Sequence, residues 1–309
     1  MYAHTGFYGF DGIDWDIEGN DDFSSPYNHF TVECLDLMGR FSQLAKEKGN
    51  YIVSMVPAGT VSCYKVARTS APLYLWPLLP LLSESYLDPT RSHYDRSLLH
   101  QYEEWIPTVP GFHYHGMNTY AYLIDRYGTY GNSGSAPDGS SSSMLSDTFD
   151  FITIQLYEGY SHAEYNTTQL SAATLNVTQN QLASDYITEF VRSVAKGWVI
   201  DYSRDVALQY PRQSRMSIPS SRIVIGLANG WAGDGKFFLA YPEQLSLAYQ
   251  VLSDEDLQPR GFAFWDILDE GKCSSQKPSE PVWMAAGLNR FLHVRSSSSS
   301  VELMGCSRQ

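Results

Sequence analysis

Residues 7–22 read FYGFDGIDWDIEGNDD and place six acids among isoleucines, aromatics and glycines. From Gly12 onward the residue types alternate, with Ile13, Trp15 and Ile17 interleaved with Asp14, Asp16 and Glu18. Side chains of a strand point to opposite faces in turn, so residues two apart share a face. The spacing therefore predicts a strand that sets its isoleucines and tryptophan against an apolar layer. The other face carries Gly12, Asp14, Asp16 and Glu18, with three carboxyl groups inside about 14 Å. Clustered carboxyls repel one another and resist burial, so such a row needs a chemical reason. Asp11 falls on the outer parity and is read as backbone support. A calcium loop counted from Asp14 matches at Asp16 and Gly19 but offers Ser25 where a bidentate glutamate is required, so it fails at its strongest ligand.

The chain has 309 residues, enough for one large core, and its 43% hydrophobic and 14% aromatic content is that of a globular protein. With 21 basic against 34 acidic residues, the net charge of −13 argues against nucleic acid or an anionic membrane as partner. Neutral polysaccharides remain open, and the 22 tyrosines suit them. No apolar run reaches the roughly 18 residues of a spanning helix. The most apolar stretch, APLYLWPLLPLL at 71–82, is interrupted by three prolines. Residues 1–20 show no basic region followed by an apolar block, so no secretion leader is read. Two glycosylation sequons, at Asn166 and Asn176, fit a secretory or extracellular location. Cys34, Cys63, Cys273 and Cys306 are too scattered for a disulfide framework or a metal knot. One bridge is possible, and free buried thiols are the reading preferred. His113 and His115 share a strand parity without a third partner, so no metal site is assigned.

Beyond the acidic strand, Ser25 and Pro26 read as the cap and first residue of a helix. Its apolar stripe would be Phe30, Cys34, Leu37, Met38, Phe41, Leu44 and Ala45, with Gly49 stopping it. Residues 51–56 read as a short buried strand. Residues 61–148, rich in proline and tyrosine and ending in a Ser/Gly tract, read as a large insertion with a mobile end. Strand and helix then alternate: strand 149–158, helix 178–198, strand 222–229, helix 241–253, strand 261–267 and helix 281–292. A flexible Ser-rich tail covers 293–309. Five strand–helix units predict an α/β protein with a parallel sheet. An open doubly wound sheet and a (β/α)8 barrel both fit, and no glycine-rich phosphate loop favours the first.

The segment DGIDWDIE, Asp11–Glu18, resembles the D-G-x-D-x-D-x-E signature of glycoside hydrolase family 18, the chitinases and related endo-N-acetylglucosaminidases. In that family it lies on barrel strand four. VSMVPAG, with Met55, resembles strand five; QLYE, Gln155–Glu158, strand six; and GFAFWD, with Trp265, strand eight. The resemblance implies a TIM (β/α)8-type barrel of which this chain holds strands four to eight, about five of eight units, incomplete at its N-terminus. It implies a retaining endo-hydrolase cutting β-1,4 bonds beside N-acetylglucosamine, with chitin or a chitooligosaccharide as partner and no cofactor or metal. In such a reaction the substrate's own acetamido oxygen attacks the anomeric carbon. Glu18 would be the acid and base, protonated at the start because like charges disfavour its ionised form. Asp16 would orient the acetamido group, Asp14 would share a proton with Asp16, and Tyr157 would hold the acetamido oxygen. Trp265 would lie under the sugar, with Gln155, Met55 and Glu158 as further substrate contacts. Where the family has Tyr-Asp or Tyr-Asn on strand six, Glu158 follows Tyr157. Trp231 and Tyr160 are open between sugar platform and packing. The signature does not separate chitin from N-glycans, and an inactive carbohydrate-binding relative is a further alternative.

Overall fold

The computed structural model describes residues 9–18, 25–59, 85–98, 117–128, 143–144, 148–157, 161, 163–164, 167, 179–232, 237–275 and 277–292. Glu158, Tyr160, His113, His115, both sequon asparagines, the 71–82 stretch and the 293–309 tail lie outside them. Among the described residues, no helix is long and apolar enough to cross a membrane.

Five parallel strands form the main sheet. They are β1 (Gly12–Trp15), β2 (Ile52–Met55), β4 (Phe151–Gln155), β7 (Ile223–Ala228) and β8 (Gly261–Trp265), hydrogen-bonded in that order. Among the described residues five α-helices accompany them: α1 (Val32–Gly49), α2 (Ala121–Tyr127), α3 (Gln179–Lys196), α4 (Pro242–Asp254) and α5 (Met284–Leu292). The chain is thus α/β with a mostly parallel sheet, an arrangement compatible with part of an α/β barrel. The register fixes the faces. Asp14 pairs with Ser54, Gln155 with Gly226, Gly226 with Ala263, and Ala228 with Trp265. Paired residues of neighbouring strands point the same way, so these share one inner face. Val53, Met55, Ile152, Ile154, Ile223, Ile225 and Leu227 turn to the other face and are buried in the core. Gly226 lets β4 and β7 meet closely on the inner side, since a Cβ there would sit 2.9 Å from the Ile154 carbonyl oxygen.

Several local expectations shift. α1 begins at Val32, not at Pro26: Ser25–Asn28 form a turn, and the Thr31 hydroxyl caps the helix by accepting from the Cys34 N–H at 3.1 Å. At its other end the helix runs through Gly49, and Asn50 takes the left-handed conformation, φ 49°. Leu35, Met38 and Ser42 form the buried side of α1, whereas Cys34, Leu37, Phe41 and Leu44 of the expected stripe are exposed. Of these, Phe41 meets Trp15 of β1, which is an edge of the sheet among the described residues. Cys34 and Cys273 are free as expected, but exposed rather than buried. At α5, the Glu270 carboxylate accepts from the N–H groups of Met284 and Ala285, which sets the start three residues later than the sequence suggests.

A second sheet, absent from the sequence reading, joins β3 (Ser143–Met144), β6 (Gln213–Ser217) and β5 (Trp198–Asp201). α3 stops at Lys196, and Gly197, φ 80°, turns the chain straight into β5. A Cβ at Gly197 would fall 2.6 Å from the Met216 carbonyl oxygen, so the close approach requires glycine. The described parts of the 61–148 stretch also add to the core. Tyr86, Leu87, Tyr94, Tyr120, Tyr122, Leu123 and Ile124 are all buried there, and α2 packs on α1.

Candidate active site

The acid row lies at the carboxyl end of β1, and Asp14 and Asp16 have different anchors. Asp14, on the strand, accepts from the Ser54 hydroxyl at 2.7 Å. Burial of its carboxyl raises its pKa, and the Ser54 hydrogen bond partly offsets this. The strand itself ends at Trp15, so Asp16 and Glu18 stand just beyond it rather than on it. Pairing with β2 nonetheless runs on, since the Val56 N–H donates to the Trp15 carbonyl at 2.9 Å. On the outer face, the Trp15 indole N–H donates to the Ser42 hydroxyl of α1 at 2.9 Å and the ring meets Phe41 edge-on. The tryptophan thereby holds the strand against its helix, as the alternation predicts.

Asp16 accepts from the Gln155 side-chain amide at 3.1 Å, and the same nitrogen donates to the Val56 carbonyl at 2.6 Å. Gln155 is buried on the inner face of β4, 139 residues away in sequence from Asp16. The Asp16 pKa is pushed up to about 6, first by burial of the carboxyl end, then by repulsion from Glu18 and from Asp14; the Gln155 hydrogen bond works against the rise. The two neighbouring carboxyls thus make Asp16 harder to ionise. Both Asp14 and Asp16 are raised, and Glu18 lies exposed two residues beyond Asp16.

On the opposite side, Tyr157 follows Gln155 by two residues, a step of about 7 Å along a strand. Its ring meets Trp231 edge-on with centroids 6.2 Å apart, and Trp231 in turn packs against Phe237 at 5.0 Å. The Trp231 indole N–H donates to the backbone carbonyl of Trp265, and the Asn229 side-chain amide donates to that of Asp266. Trp231 is therefore a brace linking Tyr157 to Trp265. The Trp265 side chain itself is 62% exposed on the inner face, free to serve as a flat apolar surface.

Asp16 is joined to Gln155 and Asp14 to Ser54, and Tyr157, Trp231 and Trp265 form a second connected set on the same sheet face. Met55 is not part of either. It pairs with Trp15 and Ile152, faces the helices and is fully buried, so its assignment as a substrate contact is corrected. Parity decides this, because Ser54 already occupies the inner position beside Asp14. Three anchors escaped the sequence reading: Ser54, Asn229 and Tyr120, whose hydroxyl bonds the Ile17 backbone. Only Ser54 had a usable signal, its inner parity on β2. No group of three histidine, cysteine or acidic side chains able to hold a metal occurs among the described residues.

No protein-family model matches the chain. No curated protein matches its sequence either.

Proposed function

We propose that this chain is a glycoside hydrolase acting on N-acetylglucosamine polymers, chitin or chitooligosaccharides, by a mechanism in which the substrate's acetamido oxygen takes part. The observation that carries the reading is the joined pair Asp16–Gln155, with Asp14 anchored below and Glu18 beside it, on the sheet face that also presents Tyr157 and Trp265. Glu18, exposed beyond the end of β1, is assigned as the acid that protonates the leaving oxygen and then the base for water. Asp16, held near a pKa of about 6, can carry a proton or a charge near neutral pH and so can bond the acetamido N–H as positive charge develops. Tyr157 is assigned to the acetamido oxygen and Trp265 to the sugar face. The fold that suits these roles is a (β/α)8-type barrel in which the five parallel strands are numbers four to eight.

The test is turnover of a chitooligosaccharide by the wild-type chain and by Glu18→Gln. Loss of a general acid costs on the order of 100-fold or more. Activity that survives the substitution undiminished rejects the assignment. A second reading, a carbohydrate-binding protein without turnover, draws on the exposure of Asp14, Asp16 and Trp265 along both flanks of the sheet face. Oligosaccharide binding with no product in the wild-type chain selects it. Product analysis on a glycoprotein beside chitin separates N-glycan trimming from chitin cleavage.

A further inference from the structure

Ile17 lies between the two outer acids of the row, past the last residue of β1. Its N–H belongs to the peptide joining it to Asp16, and its carbonyl to the peptide joining it to Glu18. Both groups meet one atom. The Ile17 N–H donates to the Tyr120 hydroxyl at 2.8 Å, and that hydroxyl donates to the Ile17 carbonyl at 2.9 Å. A phenol has one proton to give and lone pairs to receive, so both bonds can form at once.

Tyr120 is fixed from several sides. It is 1% exposed, immediately precedes α2, and has its ring edge-on to Phe30 and tilted against Tyr86. Burial drives its pKa far upward, so the proton it donates to Ile17 stays in place at any ordinary pH. The Ile17 side chain meanwhile packs on the apolar core. Where ladder pairing gives out, a tyrosine 103 residues distant takes over the backbone.

We propose that Tyr120 is a positioning residue, whose single hydroxyl pins the two peptides that carry Asp16 and Glu18 and so fixes the direction of both carboxyls. Its effect on turnover rests on the glycosidase reading, whereas the clamp itself does not. A displacement of about 1 Å in a reacting group can cost up to about 100-fold in rate. Loss of the clamp should therefore lower kcat while leaving KM, set by the exposed sugar-facing surface, within about twofold.

The experiment compares Tyr120→Phe with Tyr86→Phe. Tyr86 is a control of the same kind: its buried hydroxyl donates to the Leu98 carbonyl at 2.8 Å and its ring touches Tyr120, but it makes no bond to Ile17. Amide hydrogen exchange, read residue by residue, should show Ile17 exchanging about tenfold faster in Tyr120→Phe and unchanged in Tyr86→Phe, with β2 and β4 amides protected in both. On a chitooligosaccharide, Tyr120→Phe should lose about tenfold in kcat and Tyr86→Phe less than twofold. Unchanged Ile17 exchange in Tyr120→Phe, or equal acceleration in the two variants, overturns the proposal. A kcat unchanged in Tyr120→Phe despite faster exchange overturns the positioning role. A wild-type chain without turnover overturns the glycosidase reading, and the exchange comparison then decides the clamp alone.

Discussion

Replacing Gln155 with leucine should raise the pKa of Asp16 further. The side chains are similar in size, and Gln155 is 3% exposed, so the change removes a donor without opening a large cavity. Asp16 loses the one bond that holds its pKa down, the 3.1 Å contact from the Gln155 amide. A hydrogen bond to a charged group is worth about 1.5–3 kcal/mol when dry. The Asp16 residue is exposed, and water replaces part of what is lost, which brings the figure to about 1 kcal/mol. At about 1.4 kcal/mol per pKa unit this is a rise of roughly 0.7 from the starting value of about 6. The Val56 carbonyl loses the same donor, so stability should also fall by about 1–2 kcal/mol. The assay is a carboxyl-carbon NMR titration of 13C-labelled aspartates, with the Asp16 resonance assigned by its disappearance in Asp16→Asn. A midpoint that stays put or moves down would refute the reasoning, because it would mean that the contact does not favour the charged carboxylate over the protonated acid.

Two further outcomes are expected. Because the folded pKa of Asp16 lies near 6, above its ordinary 3.8, the folded state holds the extra proton between those values and stability falls as pH rises through that window. Asp16→Asn should thus melt roughly 2 °C higher than wild type at pH 7.5 and equally at pH 3.5, and calorimetry at the two pH values checks it. Asp205→Ala strands the Arg96 guanidinium, which is only 10% exposed and also donates to the Phe30 carbonyl. An unpaired buried charge costs about 3–5 kcal/mol, so the melting temperature should drop by roughly 10 °C, and a drop under 2 °C would show the pair to be dispensable.

The period-two alternation of Ile13, Trp15 and Ile17 against the acids was enough to assign faces, because a strand admits no other arrangement. The same rule, applied to β4, sets Thr153 and Gln155 on one face and Ile152 and Ile154 under the helices. It would also have turned Met55 outward, had parity been weighed above the likeness of VSMVPAG to a family strand. The start of α1 was misread because Ser25-Pro26 and Thr31 are both plausible caps, and local chemistry alone does not choose between them. Leu37, Phe41 and Leu44 follow a helical stripe, but burial depends on a neighbouring element, and all three stay exposed even though Trp15 meets the edge of Phe41. The β5–β6 hairpin was hidden because WVID is short and runs directly on from a helix. Tyr120 could not be found at all: nothing near it in sequence distinguishes it from the other tyrosines of a tyrosine-rich chain.

The carboxylate row is anchored by Ser54, Tyr120 and Gln155, which lie 40, 103 and 139 residues along the chain from their partners. Each such closure sacrifices more chain entropy than a helix turn does, so these bonds form only after the strands and helices have docked. Assembly of the acid cluster is accordingly a late event in folding.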